Sequence, residues 1–508
     1  MEVRRNTPWP LVTGLVAIVA TSCATPTPVP APALPAPVVA AELSVDRTCA
    51  VIVDVADAAA RGALVSRRHA LELLADSDRH AAFGLMLAEP TPEERFSAFH
   101  REQERAPDSV VGVLGECLVY SSWSKMGPQA KAACDLAATR LGDASVIVEV
   151  ARSSSALLHD GDAARAVAIA DAAIVRAPGC TALRVVKAQA IAAAGDVNAT
   201  RDGWRAASAA APGCFRCLVE AAAAEERADT GAAGRAAAVP LWEEALKLAP
   251  DHPDTLRRFA AAAAGVDDKR AQQAYAAAVR AGAKDYPTLL GAARLSARLA
   301  DSPAAVDEAI GFARKASDAA RADPEPRRIV VELSSRKAAH DDVLVAANAL
   351  LDLVPDDAVA HIALAKVAMA RGPLSAAVVH YDAADRAVVA NPVDQPVMDA
   401  LQAERRALLT RLMVDDAKAP SGTAAAVAAA TQKQLQALWR DRIAKRTTTK
   451  GGDLVVVVET GADGRVASAT VGTDTVGDDE IAAAAVAWLS RATIKGGARR
   501  YTLEFALR

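Results

Sequence analysis

Apolar and polar residues alternate along this chain with two different periods. Between about residue 45 and residue 413 the apolar positions recur every three to four residues, in runs broken by short polar, glycine or proline segments. That spacing lays one apolar stripe along an α-helix. The breaks recur as well. Pro178, Pro212, Pro250, Pro287, Pro324, Pro355 and Pro392 follow alanine-rich runs at intervals of 34, 38, 37, 37, 31 and 37 residues. VRAPGC (175–180) and AAAPGC (209–214) repeat nearly the same phrase 34 residues apart. A period of this length predicts helical hairpins that cannot bury their stripes alone and therefore stack in series. Past residue 450 the period falls to two. LVVVVET (454–460), RVASATV (465–471) and RYTLEFAL (500–507) predict strands. Between them Asp478-Asp479-Glu480 predicts a capped helix start, with Ile481, Ala485, Trp488 and Leu489 on one face.

The repeats agree in detail. With the proline at position 32, a small residue falls at position 8 on Ser154, Ala188 and Ala222. The turn inside the hairpin falls on Gly161-Asp162 and Gly195-Asp196, and the small residue five before the proline is Ala173, Ala207 or Ala245. An aromatic eight before the proline appears as Trp204 and Trp242. Residues 358–392 supply Ala365, Gly372, Ala377, Tyr381 and Ala384 in the same order. This pattern resembles the tetratricopeptide repeat (TPR), although the tryptophan common in that family's first helix is missing. The resemblance implies a mostly α fold, a TPR-like solenoid over 147–414. It also implies a groove lined by first helices at repeat positions 2, 5, 9 and 12. Those positions hold Val185, Gln189, Arg216, Val219, Glu226, Ile362, Lys366 and Met369. Residues 45–146 read as helices with one or two degenerate repeats and an N-terminal cap.

After a linker expected over 415–424, residues 425–508 read as helix-β-β-α-β, a small α+β domain. The hydrophobic strand, the GADGRV turn at 461–466, the late Trp488 and the closing Tyr501-to-Phe505 strand resemble the TonB C-terminal fold. The version at the ends of myxobacterial motility proteins is the most similar. That family's cysteines are absent, and its Trp-x-Phe-Pro phrase is reduced to Trp488-Leu489. The resemblance implies a docking module whose strand edge pairs with partner peptides.

The first residues read as a targeting segment. Arg4 and Arg5 precede a short apolar run that ends in Ala20-Thr21-Ser22-Cys23. Small residues directly before a cysteine resemble a bacterial lipobox, which implies a signal peptide over 1–23 and a lipid, such as palmitate, on Cys23. The other reading is an ordinary signal peptide or an uncleaved anchor. Residues 24–44, rich in proline and alanine, then form a semi-rigid spacer. Six further cysteines remain: Cys49, Cys117, Cys134, Cys180, Cys214 and Cys217. An even count in an exported chain permits disulfides, and Cys117 and Cys134, 17 apart, are placed to face each other across one hairpin. Cys214 and Cys217 form a CxxC with no second CxxC or paired histidines beside it, so a structural role is expected over redox or metal chemistry.

Composition sharpens the picture in two ways. Hydrophobic residues make up 52% of the chain but aromatics only 4%, so helices must pack closely through alanine. The net charge of −4 gives a polyanion nothing to seek, and no nucleic-acid partner is expected. The eight histidines are scattered, no Walker, Rossmann or GxSxG pattern occurs, and the acidic pairs Asp267-Asp268, Asp341-Asp342 and Asp356-Asp357 sit where helices start. The expectation is therefore a non-enzymatic scaffold without cofactor or metal. It would be lipid-anchored in the envelope, probing the periplasm and binding other envelope proteins or peptides. A TonB-like energy transducer, or a motility-complex component held in the inner membrane, is the alternative.

Overall fold

The computed structural model describes residues 43–390, 395–414, 419–445 and 451–508. Cys23, the signal segment and nearly all of the expected spacer lie outside them. Four helices open the chain: α1 (Val45–Ala60), α2 (Leu64–Glu72), α3 (Arg79–Leu87) and α4 (Pro92–Arg105). Hairpins follow, first helix before second: α5 (Val110–Ser122) with α6 (Gly127–Leu141), α7 (Val148–Leu158) with α8 (Ala163–Arg176), α9 (Thr181–Ala194) with α10 (Val197–Ala210), and α11 (Phe215–Ala228) with α12 (Ala232–Leu248). Four more continue the array: α13 (Pro253–Ala263) with α14 (Asp268–Arg280), α15 (Tyr286–Leu299) with α16 (Pro303–Ala319), α17 (Glu325–Arg336) with α18 (His340–Leu351), and α19 (Ala358–Arg371) with α20 (Leu374–Ala390). A single helix, α21 (Gln395–Arg411), follows the last hairpin.

The hairpins start and stop for local reasons. Asp162, Asp196, Asp267, Asp285 and Asp357 each cap a helix by accepting a backbone N–H from the first turn. Gly195 ends α9 at φ 85°, a left-handed conformation that favours glycine. Within each hairpin the contact is made by alanine. On α8 the stripe Ala166, Ala170 and Ala173 has no exposed surface, and Ala309, Ala313 and Ala316 form the same stripe on α16. Side chains this small let the helix axes approach closely, and the larger buried groups Trp204 and Trp242 fill the gaps between hairpins.

Each helix packs on the next in sequence, which is serial stacking. First helices also touch the first helices of neighbouring hairpins: α5 with α7, α7 with α9, α15 with α17 and α17 with α19. Second helices make no comparable backbone contact with one another among the described residues and meet instead through side chains such as the pair of Arg270 with Glu243. At α5–α7–α9 and α15–α17–α19 the array is therefore tighter on the side of the first helices, which makes that side the inner one there. Ion pairs cross from hairpin to hairpin, among them Lys187 with Asp171 at 2.6 Å, Arg270 with Glu243 at 2.7 Å and Arg328 with Asp357 at 2.7 Å. Each is worth little at the surface, but together they fix the register of the stack.

The C-terminal region holds β1 (Ser421–Gly422), α22 (Ala424–Ala444), β2 (Gly452–Thr460), β3 (Val466–Asp474), α23 (Asp479–Ser490), β4 (Thr493–Ile494) and β5 (Arg500–Leu507). The sheet order is β3-β2-β5 with both pairings antiparallel, and β1 pairs with β4 in parallel. The span expected as a linker thus carries a short strand at its end. Leu454, Val456 and Val458 alternate inward on β2, as do Leu503, Phe505 and Leu507 on β5. On α23 every residue from Ile481 to Leu489 is buried, not one face alone. The reason is position: α23 lies between the sheet and α20, with α22 also against it. One hydrophobic core runs from the last hairpin through α21 into this sheet.

Candidate functional site

The leading helices of the chain fold against the starts of two first helices of the array. Helix α1 folds back to pack against α9 and α11. A disulfide joins Cys49 on α1 to Cys180, the N-cap of α9, across 131 positions of sequence. Two turns further along α1, buried Asp57 accepts the backbone N–H of Arg216 in the first turn of α11 at 2.7 Å, and pairs with Arg61 at 3.1 Å. Burial pushes the Asp57 carboxyl up, against the opposing pull of the Arg216 N–H and the Arg61 guanidinium. Helix α1 therefore supplies in trans a cap that the sequence around α11 does not provide for that N–H.

The six cysteines form three disulfides. Cys117–Cys134 closes the α5–α6 hairpin, as its spacing suggested. Cys214–Cys217 lies within the start of α11, where the Cys214 Sγ also accepts the Cys217 N–H at 3.1 Å. Both of its cysteines are buried. A carboxylate, Asp57, already occupies the helix terminus beside it, so the local field opposes the thiolate that exchange chemistry needs.

The eight expected groove residues are distributed as follows. Gln189 and Arg216 are brought together: the Gln189 amide oxygen accepts from Arg216 Nη1 and Nη2 at 3.2 and 2.7 Å, an orientation assigned from this bonding pattern. Val185 packs against the cluster around Trp204, and Val219 against those around Trp242 and Phe215. Glu226 accepts from Trp242 Nε1 at 2.9 Å. Ile362 and Met369 pack on the C-terminal core, and Lys366 pairs with Glu404 of α21 at 3.1 Å. Each of the eight thus has a partner within the chain, and the Lys366 side chain stays 52% exposed. The first helices α13, α15 and α17 carry Arg257, Arg294 and Arg328 on partly or fully exposed positions.

Two polar clusters escaped the sequence reading. His361 Nδ1 lies 3.2 Å from His380 Nδ1, and His361 Nε2 lies 3.1 Å from the Pro355 carbonyl. A carbonyl only accepts, so His361 carries its proton on Nε2 and takes a hydrogen bond from the Nδ1–H of His380. Burial holds both imidazoles below their ordinary range, His380 at about 4 with a further contribution from His361. The second cluster joins the array to the C-terminal region. Asp382 of α20 binds Arg405 of α21 at 3.2 Å and Arg491, beyond α23, at 3.0 Å, all three nearly buried. Among the described residues no three potential metal ligands are gathered, and no helix is long and apolar enough to cross a membrane.

No family model matches the chain, and no curated protein matches it. Solved structures are similar in part. YrrB, described as a TPR protein with an unusual peptide-binding site, is 14% identical over 40% of this chain and 99% of its own, with a TM-score of 0.33. A tetratricopeptide repeat protein from Parabacteroides merdae is 14% identical over 50% of this chain and 96% of its own, with a TM-score of 0.29. The human IFIT1 dimer with PPP-AAAA is 14% identical over 65% of this chain and 79% of its own, with a TM-score of 0.33. These are distant likenesses to helical-repeat proteins, and the repeat architecture described above rests on the chain's own helix packing.

Proposed function

We propose that this chain is a non-enzymatic envelope lipoprotein that acts as a scaffold for other proteins. The observation that carries the reading is the serial stacking of the hairpins, each helix packed on the next from α5 to α20. Serial stacking turns many small hairpins into one long surface, a geometry suited to holding a peptide or a helix of a partner. The lipobox-like Ala20-Thr21-Ser22-Cys23 and the proline-rich stretch behind it support a lipid anchor and a spacer on the periplasmic side, with Ala24 after the cysteine favouring the outer membrane. The C-terminal α+β unit is the second docking module. Three disulfides suit an oxidising compartment.

The test is capture from native membranes with the full chain carrying a photo-crosslinker at exposed positions of α13, α15 or α17. Specific crosslinks to one or a few envelope proteins are expected from these positions and not from the outer faces of α14 and α16. Equal labelling from both faces removes the scaffold reading. Separately, Cys23→Ala is expected to abolish palmitate incorporation and release the chain from membranes. Retention with an unprocessed N-terminus favours the transducer instead.

A further inference from the structure

The last hairpin brings together two histidines that lie 19 positions apart in the chain. His361 stands in the first turn of α19, and His380 lies within α20. Ala365 on α19 and Ala377 on α20 have no exposed surface and belong to one core. Ala360 beside His361 is buried, as are Val378 and Tyr381 around His380. Both imidazoles are therefore carried on backbone that packing holds in place, while the rings keep part of their surface open to solvent.

The orientation of the rings is what gives the pair chemical meaning. The nitrogens that face each other are the two Nδ1 atoms, 3.2 Å apart. Zinc binds imidazole nitrogen at about 2.0–2.1 Å, so two such nitrogens on a tetrahedral ion stand about 3.3–3.4 Å apart. The pair is thus within about 0.1–0.2 Å of the spacing an ion would impose. The outer nitrogen of His361 is already committed. Its Nε2 donates to the Pro355 carbonyl at 3.1 Å, which leaves Nδ1 as the nitrogen with the free lone pair. Histidines that ligate metals almost always donate their other N–H to a carbonyl or carboxylate, which fixes the tautomer and the ring orientation. His380 has only to carry its proton on Nε2 instead of Nδ1, a change of tautomer without a change of charge. Burial holds both rings in the neutral form at pH 7, the form that binds a metal. Asp356 and Asp357 act on His361 in the sense that favours a cation, and Arg386 of α20 opposes them.

We propose that His361 and His380 form a two-histidine site for a borderline divalent metal ion, zinc(II) by its geometry, with solvent completing the tetrahedron. Two imidazoles select against the hard ions Mg²⁺ and Ca²⁺, which take oxygen ligands. The site lies in the hairpin whose α20 packs on α23, so a bound ion ties α19 to α20 where the array meets the C-terminal unit. The site stands independently of the scaffold reading.

The experiment is calorimetric titration of the full chain, in detergent and stripped of metal by chelation, with zinc chloride at pH 7.5. One equivalent of Zn²⁺ is expected to bind in the presence of excess Mg²⁺ and Ca²⁺. His361→Gln and His380→Gln are each expected to weaken it at least tenfold, with helicity by circular dichroism unchanged, and His69→Gln is expected to leave it unchanged. Co²⁺, used as a coloured stand-in, is expected to give the visible absorption of a tetrahedral site in the parent and to lose it in either variant. Carbethoxylation of the parent chain, read by mass spectrometry, needs no substitution: Zn²⁺ is expected to protect His361 and His380 and to leave His69 and His100 reactive. The proposal falls if Zn²⁺ does not bind, if it binds as tightly to both variants, if Mg²⁺ displaces it, or if His361 and His380 stay reactive with Zn²⁺ bound. The pair would then be a hydrogen bond between two helices and no metal site.

Discussion

Asp57 is a buried carboxylate with a backbone donor from a helix 159 positions away. Replacing it by asparagine keeps an oxygen for the Arg216 N–H and removes a charge that burial already disfavours, so Asp57→Asn is expected to change stability by only about 1 kcal/mol. Asp57→Ala leaves that N–H unpaired and is expected to cost roughly 1–3 kcal/mol in urea unfolding. Equal stability of the alanine variant and the parent would show that α1 does not cap α11. The histidine pair makes a second prediction. Both imidazoles are held below their unfolded value, so between pH 6.5 and about 4 the unfolded chain binds more protons than the folded one. Stability is therefore expected to be flat above neutrality and to fall as the pH drops through that window. His380→Gln should flatten this loss, measured as Tm against pH; an unchanged slope assigns the loss to other groups. Residue roles were legible where donor and acceptor are close in sequence. Asp267, Asp357 and Asp478 cap the helices that follow them, as acidic residues at helix starts should. Asp57 was not legible, because nothing within α1 announces a donor on α11.

Helix α1 is tied to the start of α9 by one covalent link. The chain-entropy view gives a bridge across 131 residues about 5 kcal/mol, and measured losses for native disulfides run about 2–5 kcal/mol. Cys49→Ala with Cys180→Ala is expected to lower stability within that range. It should also raise amide exchange in α1 and at the start of α11 more than in α15 or α17, since the strap and its Asp57 cap loosen together. Uniform exchange across the array would mean that α1 holds its place without the bridge. The contrast with Cys117–Cys134 shows what a sequence can tell about pairing. Those two cysteines lie on consecutive helices of one hairpin, so period and turn place them side by side. Cys49 meets Cys180 only because the leading helices run back along the stack, a tertiary choice that no local period encodes. Repeat position puts Gln189, Arg216 and Lys366 on first helices, while the Gln189–Arg216 hydrogen bonds and the Lys366–Glu404 pair are contacts that no period announces.

At the scale of the whole molecule, the C-terminal unit was legible as elements and not as an attachment. Alternation located β2, β3 and β5, and the acidic triplet located the start of α23. The sequence reading nevertheless placed a linker before them, because residues 419–424 carry no periodic stripe of their own. In the structure, α23 is apolar on every side because α20 covers the face turned away from the sheet. Asp382 is the polar pin of that contact. Burial raises its carboxyl, Arg491 and Arg405 oppose the shift, and the three side chains are between 10% and 13% exposed. Removing one partner of such a group costs more than the group contributes, because the remaining charges stay buried without compensation. Asp382→Ala is therefore expected to cost about 3–5 kcal/mol, concentrated in α19–α21 and the sheet. Calorimetry reads the consequence directly. If the last hairpin and the C-terminal unit share one core, they melt together in the parent chain, and Asp382→Ala should split or lower that transition while the hairpins from α5 to α16 melt as before. A parent chain in which the C-terminal unit already melts separately would mean that the contact between α20 and α23 does not couple the two, and the unit would then be free to engage a partner independently of the array.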